Sequence, residues 1–174
     1  MSQMKISRNL LGSIFLLLLA LGIIIKPARS SKFTAQVGQD VDNITVTTGS
    51  GQRQTLGQVL GHHAGLLNFF ATWCPACRME LPNLHSTVTS SDKLILLSQG
   101  SPSSTITFLR QYGIAQAHSF YDPSGQVFTS FFVTTLPTSY FVNRYGIIVS
   151  KVVGPMTPTL LRENLRRANE SRVG

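Results

Sequence analysis

The sequence predicts a mixed-sheet α/β domain with helices on both faces of the sheet, and three features predict it. Gly65–Phe70 and residues 94–98 are short apolar runs of the length of buried strands, each followed by a helix-start signal, the pattern of parallel strands joined by helices. Thr138–Val142 and residues 147–153 are separated only by Asn143-Arg144-Tyr145-Gly146, which makes them an antiparallel pair. The chain has 174 residues, 43% of them hydrophobic, enough for one core and too few for two.

The elements follow in order. Residues 43–48 read as a strand, Gly49-Ser50-Gly51 as a turn and residues 52–56 as its return, a small hairpin ahead of the main domain. Residues 55–60 fit one helical turn. Gly65–Phe70 is the first buried strand, and after it comes Cys74-Pro75-Ala76-Cys77. Pro75 suits the first turn of a helix, where a missing N–H costs nothing, so a helix is predicted from Cys74 to Val88, kinked at Pro82. Residues 94–98 form the next strand. Ser103 or Ser104 would cap a helix ending at Gly113, with Ile106, Leu109 and Tyr112 at helical spacing. Asp122-Pro123-Ser124-Gly125 is a turn after a short strand, and Val127, Phe128, Phe131 and Phe132 make the apolar face of a short helix. The closing hairpin leads to a last helix capped by Thr157, with Pro158 in its first turn.

This domain occupies residues 43–172, behind a polar connector at 31–42. Residues 1–30 are of another kind. Lys5 and Arg8 precede an uncharged apolar run at 10–25, which Lys26, Pro27 and Arg29 close. Its length lies between a signal-peptide core and a bilayer span. Ala28 and Ser30 resemble a cleavage site, but Lys26 and Arg29 put charge where a cleavable segment is neutral. We expect a signal anchor, with a cleaved signal peptide as the alternative, and no lipid anchor, since no cysteine is near. The protein would be single-pass, with its domain on the extracytoplasmic side of the cell membrane, or secreted or periplasmic after cleavage.

The net charge of +8 resembles a nucleic-acid signal until it is apportioned. Lys5, Arg8, Lys26, Arg29 and Lys32 carry five of the fifteen basic charges, leaving ten against seven acidic ones. The cluster Arg162, Arg166, Arg167 and Arg172 is interrupted by Glu163 and Glu170 and reads as the solvated face of the last helix. No nucleic-acid partner is expected.

The chemistry is concentrated in the two cysteines. One bridge across so short a loop removes little unfolded-state entropy, so it is more plausibly there to be broken than to hold the fold. A strand that delivers Cys74 to a helix N-terminus sets its sulfur against unpaired N–H groups and the positive end of the helix dipole, which favour thiolate over thiol. Cys77 lies one turn deeper on the same face. Cys74 would attack a substrate disulfide and Cys77 would resolve the mixed disulfide, leaving an intramolecular bridge, and the reverse direction would oxidise substrates. Zinc would need four ligands, and the histidines at 62, 63, 85 and 118 supply no second pair at usual spacing. Covalent haem would need His after Cys77, where Arg78 stands. Copper-delivery domains of similar fold use a Cys-x-x-x-Cys with a distant His, so the spacing here is one short, although His118 could stand as the distant His. We expect no metal and no cofactor.

The stretch NFFATWCPACRMELP, followed about sixty residues after Cys77 by TLPTSYFVNRYGIIVSKVVGPMTP, closely resembles membrane-anchored thioredoxin-like proteins of the TlpA/ResA type, with a redoxin or AhpC/TSA-like domain. The likeness spans residues 36–170. It implies a thioredoxin-like fold with an N-terminal β-hairpin extension, a cis-proline at Pro137 facing the disulfide, and pairing of the Leu136 backbone with an extended substrate segment. Trp73 matches the active-site tryptophan, and Trp73, Pro75, Leu136 and Pro137 make up the expected substrate-binding set. Where thioredoxins carry a buried Asp six residues before the first cysteine, this chain has Asn68, which cannot titrate. The nearest acid is Glu80, three residues beyond Cys77 and on its helical face. Glu80 is either a solvated helix residue or the group that manages the proton of the pair; the resemblance implies the second, since a Glu at that position in ResA-like proteins is associated with thiol reactivity.

The spacing leaves no room for the helical insertion of DsbA-type oxidases, which favours a reductant. The resemblance implies exported disulfide proteins as substrates, apocytochrome c among them, and a transmembrane thiol carrier as electron source. The alternatives are an exported thiol oxidase and a non-catalytic redox-sensing or binding module. Peroxidase chemistry is weaker, because Ala71 occupies the position of the Thr in the peroxiredoxin motif.

Overall fold

The computed structural model describes residues 35–115 and 119–172. The predicted anchor at 1–30 and His118 lie outside them. No described helix is long and apolar enough to cross a membrane.

A seven-stranded mixed sheet forms the centre. Its strands are β1 (Thr45–Thr48), β2 (Arg53–Thr55), β3 (Gly65–Phe70), β4 (Lys93–Ser98), β5 (Ser119–Tyr121), β6 (Thr138–Val142) and β7 (Ile148–Val153). They lie in the order β2-β1-β5-β4-β3-β6-β7. β3, β4 and β5 run parallel, while β6 and β7 close one side and β1 and β2 the other with antiparallel pairings. The first hairpin is therefore not set ahead of the domain: β1 pairs with β5 and extends the same sheet. Residues 35–42, read as a connector, also pack on it. Val41 is fully buried, Ala35 nearly so, and Asp40 bridges to Ile147.

The helices are α1 (Leu56–Leu60), α2 (Pro75–Thr87), α3 (Pro102–Arg110), α4 (Gln126–Ser130) and α5 (Pro158–Glu170). Their starts follow side-chain chemistry. Thr55 and Gln58 form a capping box for α1, and Thr157 caps α5 ahead of Pro158. α3 is capped by Ser101, not by Ser103 or Ser104, because Pro102 takes the first helical position and moves the cap one residue before it. α2 continues through Pro82 to Thr87, although that proline removes the helical donor to the Arg78 carbonyl.

Alternation along the strands splits the core into two layers. Leu66 and Phe70 of β3 and Phe141 of β6 meet Leu81 and Leu84 of α2 and Leu161 and Leu165 of α5. On the other face Leu67, Phe69 and Tyr140 pack with Phe128 and Phe131, with Phe69 and Phe128 edge to face at 4.9 Å. The Tyr140 hydroxyl donates to the Phe131 carbonyl, so the one polar atom of this cluster is paired. The same alternation puts Asn68 of β3 and Ser139 of β6 on the α2 side, where they would be unwelcome without partners.

Gly146 closes the β6–β7 turn at φ 75°, and a Cβ there would stand 2.1 Å from Asp42 Oδ1. Both the left-handed backbone and the close approach require glycine. Gly146→Ala is expected to cost about 2–4 kcal/mol in denaturant unfolding while leaving thiol exchange below the transition unchanged.

Candidate active site

β3 ends at Phe70, and a short loop carries the chain into α2. Cys74 is the N-cap of α2, with extended backbone (φ −81°, ψ 112°), and its Sγ accepts the Cys77 N–H at 3.2 Å. A sulfur thus occupies the place usually held by a Ser, Asp or Thr oxygen. Pro75 takes the first helical position, as expected. Cys74 and Cys77 are joined as a disulfide with Cα atoms 5.3 Å apart, and both are buried. With the bridge open, the Cys77 N–H would face a Cys74 thiolate at the positive end of the helix.

The Leu136–Pro137 peptide is cis, as the resemblance implied. Leu136 and Cys74 line one groove of about 410 Å³, together with Trp73, Pro75, Gln99 and Val133. Trp73 is 75% exposed, so it is no part of the core. Among the described residues, no side chain lining the groove is charged. A slightly larger depression of about 490 Å³, lined by residues such as Thr45, Arg53 and Asp122, contains no cysteine.

Glu80 is not a solvated helix residue. It is 2% exposed, its Oε1 accepts the Met156 N–H at 2.9 Å, and its Oε2 accepts from Asn68 Nδ2 at 3.0 Å. Burial pushes its carboxyl above the usual carboxylate range, and the donors from Met156 and Asn68 offset part of that rise. Cys77 and Glu80 are both buried positions of α2, three residues apart.

Sequence reasoning missed three contributors. Arg78 donates from Nε and Nη2 to the Thr72 carbonyl at 3.0 and 2.8 Å and lies 5.3 Å over Phe108, fixing the loop that leads into Trp73 and Cys74. Its position four residues after Cys74 was the available signal. Gln99, one residue past β4, reaches the groove from a strand end, where open α/β sheets bind ligands. Ser139, directly opposite Asn68 in the β3–β6 ladder, left no signal except the strand register.

Residues 37–151 match the AhpC/TSA family, which is most of the chain and includes both cysteines and Pro137. The chain belongs to the AhpC/TSA family. Among relatives of this AhpC/TSA domain, it is 27% identical over 168 residues to the thiol-disulfide oxidoreductase ResA of Bacillus subtilis, covering 92% of this chain and 93% of that one. Solved structures share its thioredoxin-like fold. StoA from Bacillus subtilis superposes with a TM-score of 0.57 at 24% identity, over 70% of this chain and 94% of that one. A thiol:disulfide interchange protein of the thioredoxin family from Chlorobium tepidum gives 0.63 at 19%, over 76% and 97%.

Proposed function

We propose that this protein is a thiol-disulfide oxidoreductase that reduces disulfides of exported proteins through Cys74 and Cys77. The observation that carries the reading is the Cys74 sulfur at the N-terminus of α2, lining the groove that Trp73 and Leu136 also line. In the reduced enzyme the Cys74 thiolate attacks one sulfur of the substrate bridge. That bridge breaks, its other sulfur leaves as a thiolate, and a mixed disulfide forms. Cys77 gives up its proton to Glu80 and attacks Cys74 Sγ, which releases the second substrate sulfur and restores the Cys74–Cys77 bond. The substrate gains two electrons from the Cys74–Cys77 dithiol, its two thiolates take their protons from water, and the Cys77 proton rests on Glu80 until water removes it. Leu136 and Pro137 would hold the substrate chain as an added extended segment, and the uncharged groove suits a neutral stretch beside the substrate cysteine.

The relative ResA supports this activity through the name it carries and the near full-length match. Apocytochrome c as substrate, a transmembrane thiol carrier as electron donor, and an N-terminal anchor holding the domain outside the cytoplasmic membrane complete the proposal. Turnover of a protein disulfide with dithiothreitol as donor tests it, and an absence of turnover beyond the uncatalysed rate would refute it. Trp73→Ala is expected to raise KM for a protein disulfide about tenfold with little change in kcat or in stability, because an exposed aromatic supports binding and not the core.

A further inference from the structure

The amide of buried Asn68 is bonded to Glu80, and an amide carries both a donor and an acceptor end. Asn68 Nδ2 donates to Glu80 Oε2 at 3.0 Å and to Ser139 Oγ at 2.9 Å. Asn68, Glu80 and Ser139 are 1%, 2% and 0% exposed, so bulk water is not their partner. With Met156 N–H on Oε1, each hydrogen bond to the carboxylate comes from a donor, which suits an anion. A proton placed on Oε2 on the side facing Asn68 Nδ2 would meet it donor to donor, and a buried polar group left without a partner is costly. Half a turn of the amide exchanges Nδ2 for Oδ1, a group of nearly the same size. Oδ1 then accepts from protonated Glu80 and from Ser139, whose hydroxyl accepts in one state and donates in the other.

We propose that Asn68 and Ser139 are positioning residues forming a two-state amide switch, which holds Glu80 ionised in one amide orientation and protonated in the other. The switch rests on the reading of Glu80 as the group that takes the Cys77 proton. As Cys77 attacks Cys74 Sγ, its proton passes to Glu80, the amide turns, and the Ser139 hydroxyl reverses. Loss of that proton returns all three, and the switch itself moves no electrons. Asp at position 68 would not substitute for the amide, because a second carboxylate would compete with Glu80 for the proton.

The test is a pH titration of the full-length chain, reduced and oxidised, followed by the side-chain amide resonances of Asn68 and by the pH profile of Cys77 reactivity. The Asn68 resonances are expected to move with the titration of Glu80 and to lose that response in Glu80→Gln. Ser139→Ala should raise the Glu80 midpoint by about half to one pH unit. The direction follows because the ionised state loses the acceptor of a buried N–H, whereas the protonated state loses only the second donor to an oxygen. Asn68 resonances that stay still while Glu80 titrates in the wild type overturn the switch, whether or not the variants fold. A Cys77 profile unchanged in Glu80→Gln overturns the proton-transfer reading, and with it the use of the switch.

Discussion

Cys77→Ser is expected to accumulate a stable mixed disulfide between Cys74 and its substrate, while Cys74→Ser forms none and loses turnover entirely. The asymmetry follows from placement. Cys74 is the N-cap of α2 and lines the groove, whereas Cys77 lies within the first turn and does not line it. An incoming disulfide is therefore expected to reach the first sulfur and not the second. Without Cys77 the first exchange still occurs, but no internal thiol releases the product, so turnover should fall by about a thousandfold or more. Mass spectrometry of the trapped species identifies the attacking cysteine. Trapping through Cys77 in a Cys74→Ser variant at a similar rate would reverse the assigned roles. Loss of the bridge itself should cost little stability, since it closes a loop of only three residues' separation.

Glu80→Gln is expected to slow release of the mixed disulfide about a hundredfold while leaving the first attack by Cys74 close to wild type. A carboxyl raised toward the working pH is better matched to taking a thiol proton than an ordinary one. The variant should also alter how stability depends on pH. Glu80 has a folded-state value above its usual 4.5, with burial as the main cause. The folded chain therefore binds this proton more tightly than the unfolded chain. The stability so contributed is fully present below the unfolded value and is lost as pH rises through the raised folded value. Glu80→Gln does not titrate and should show no such loss, so the difference in unfolding free energy between variant and wild type should grow across that window and then level off. Parallel pH profiles for the two proteins would mean that Glu80 carries no shifted proton.

The fold and the reacting pair were legible because they rest on local rules. Short apolar runs, proline at first helical positions and turn residues placed β3, α2, the closing hairpin and α5. The first hairpin was found but not its pairing with β5, because β1–β5 contact joins segments far apart in sequence and leaves no short-range signal. Residues 35–42 looked like a linker for a similar reason: Val37 and Val41 are isolated apolar residues among polar ones, and Val41 is buried where its N–H meets the Gly146 carbonyl of the distant β6–β7 turn. Glu80 was located by helical spacing from Cys77, but its burial depends on Asn68 and Met156, which sequence places on separate elements. Asn68 was seen as a missing acid, and its role as a donor to one appears only once α2 is packed on β3.

The most direct test is the redox equilibrium of the Cys74–Cys77 pair in the full-length chain, read by thiol trapping across dithiothreitol and glutathione buffers, with Cys77→Ser as control. One reversible two-electron couple is expected at the reducing end of the range, near about −270 mV. A couple near about −120 mV would make the protein an oxidant of exported thiols, and a bridge that does not exchange at all would contradict catalysis by this pair.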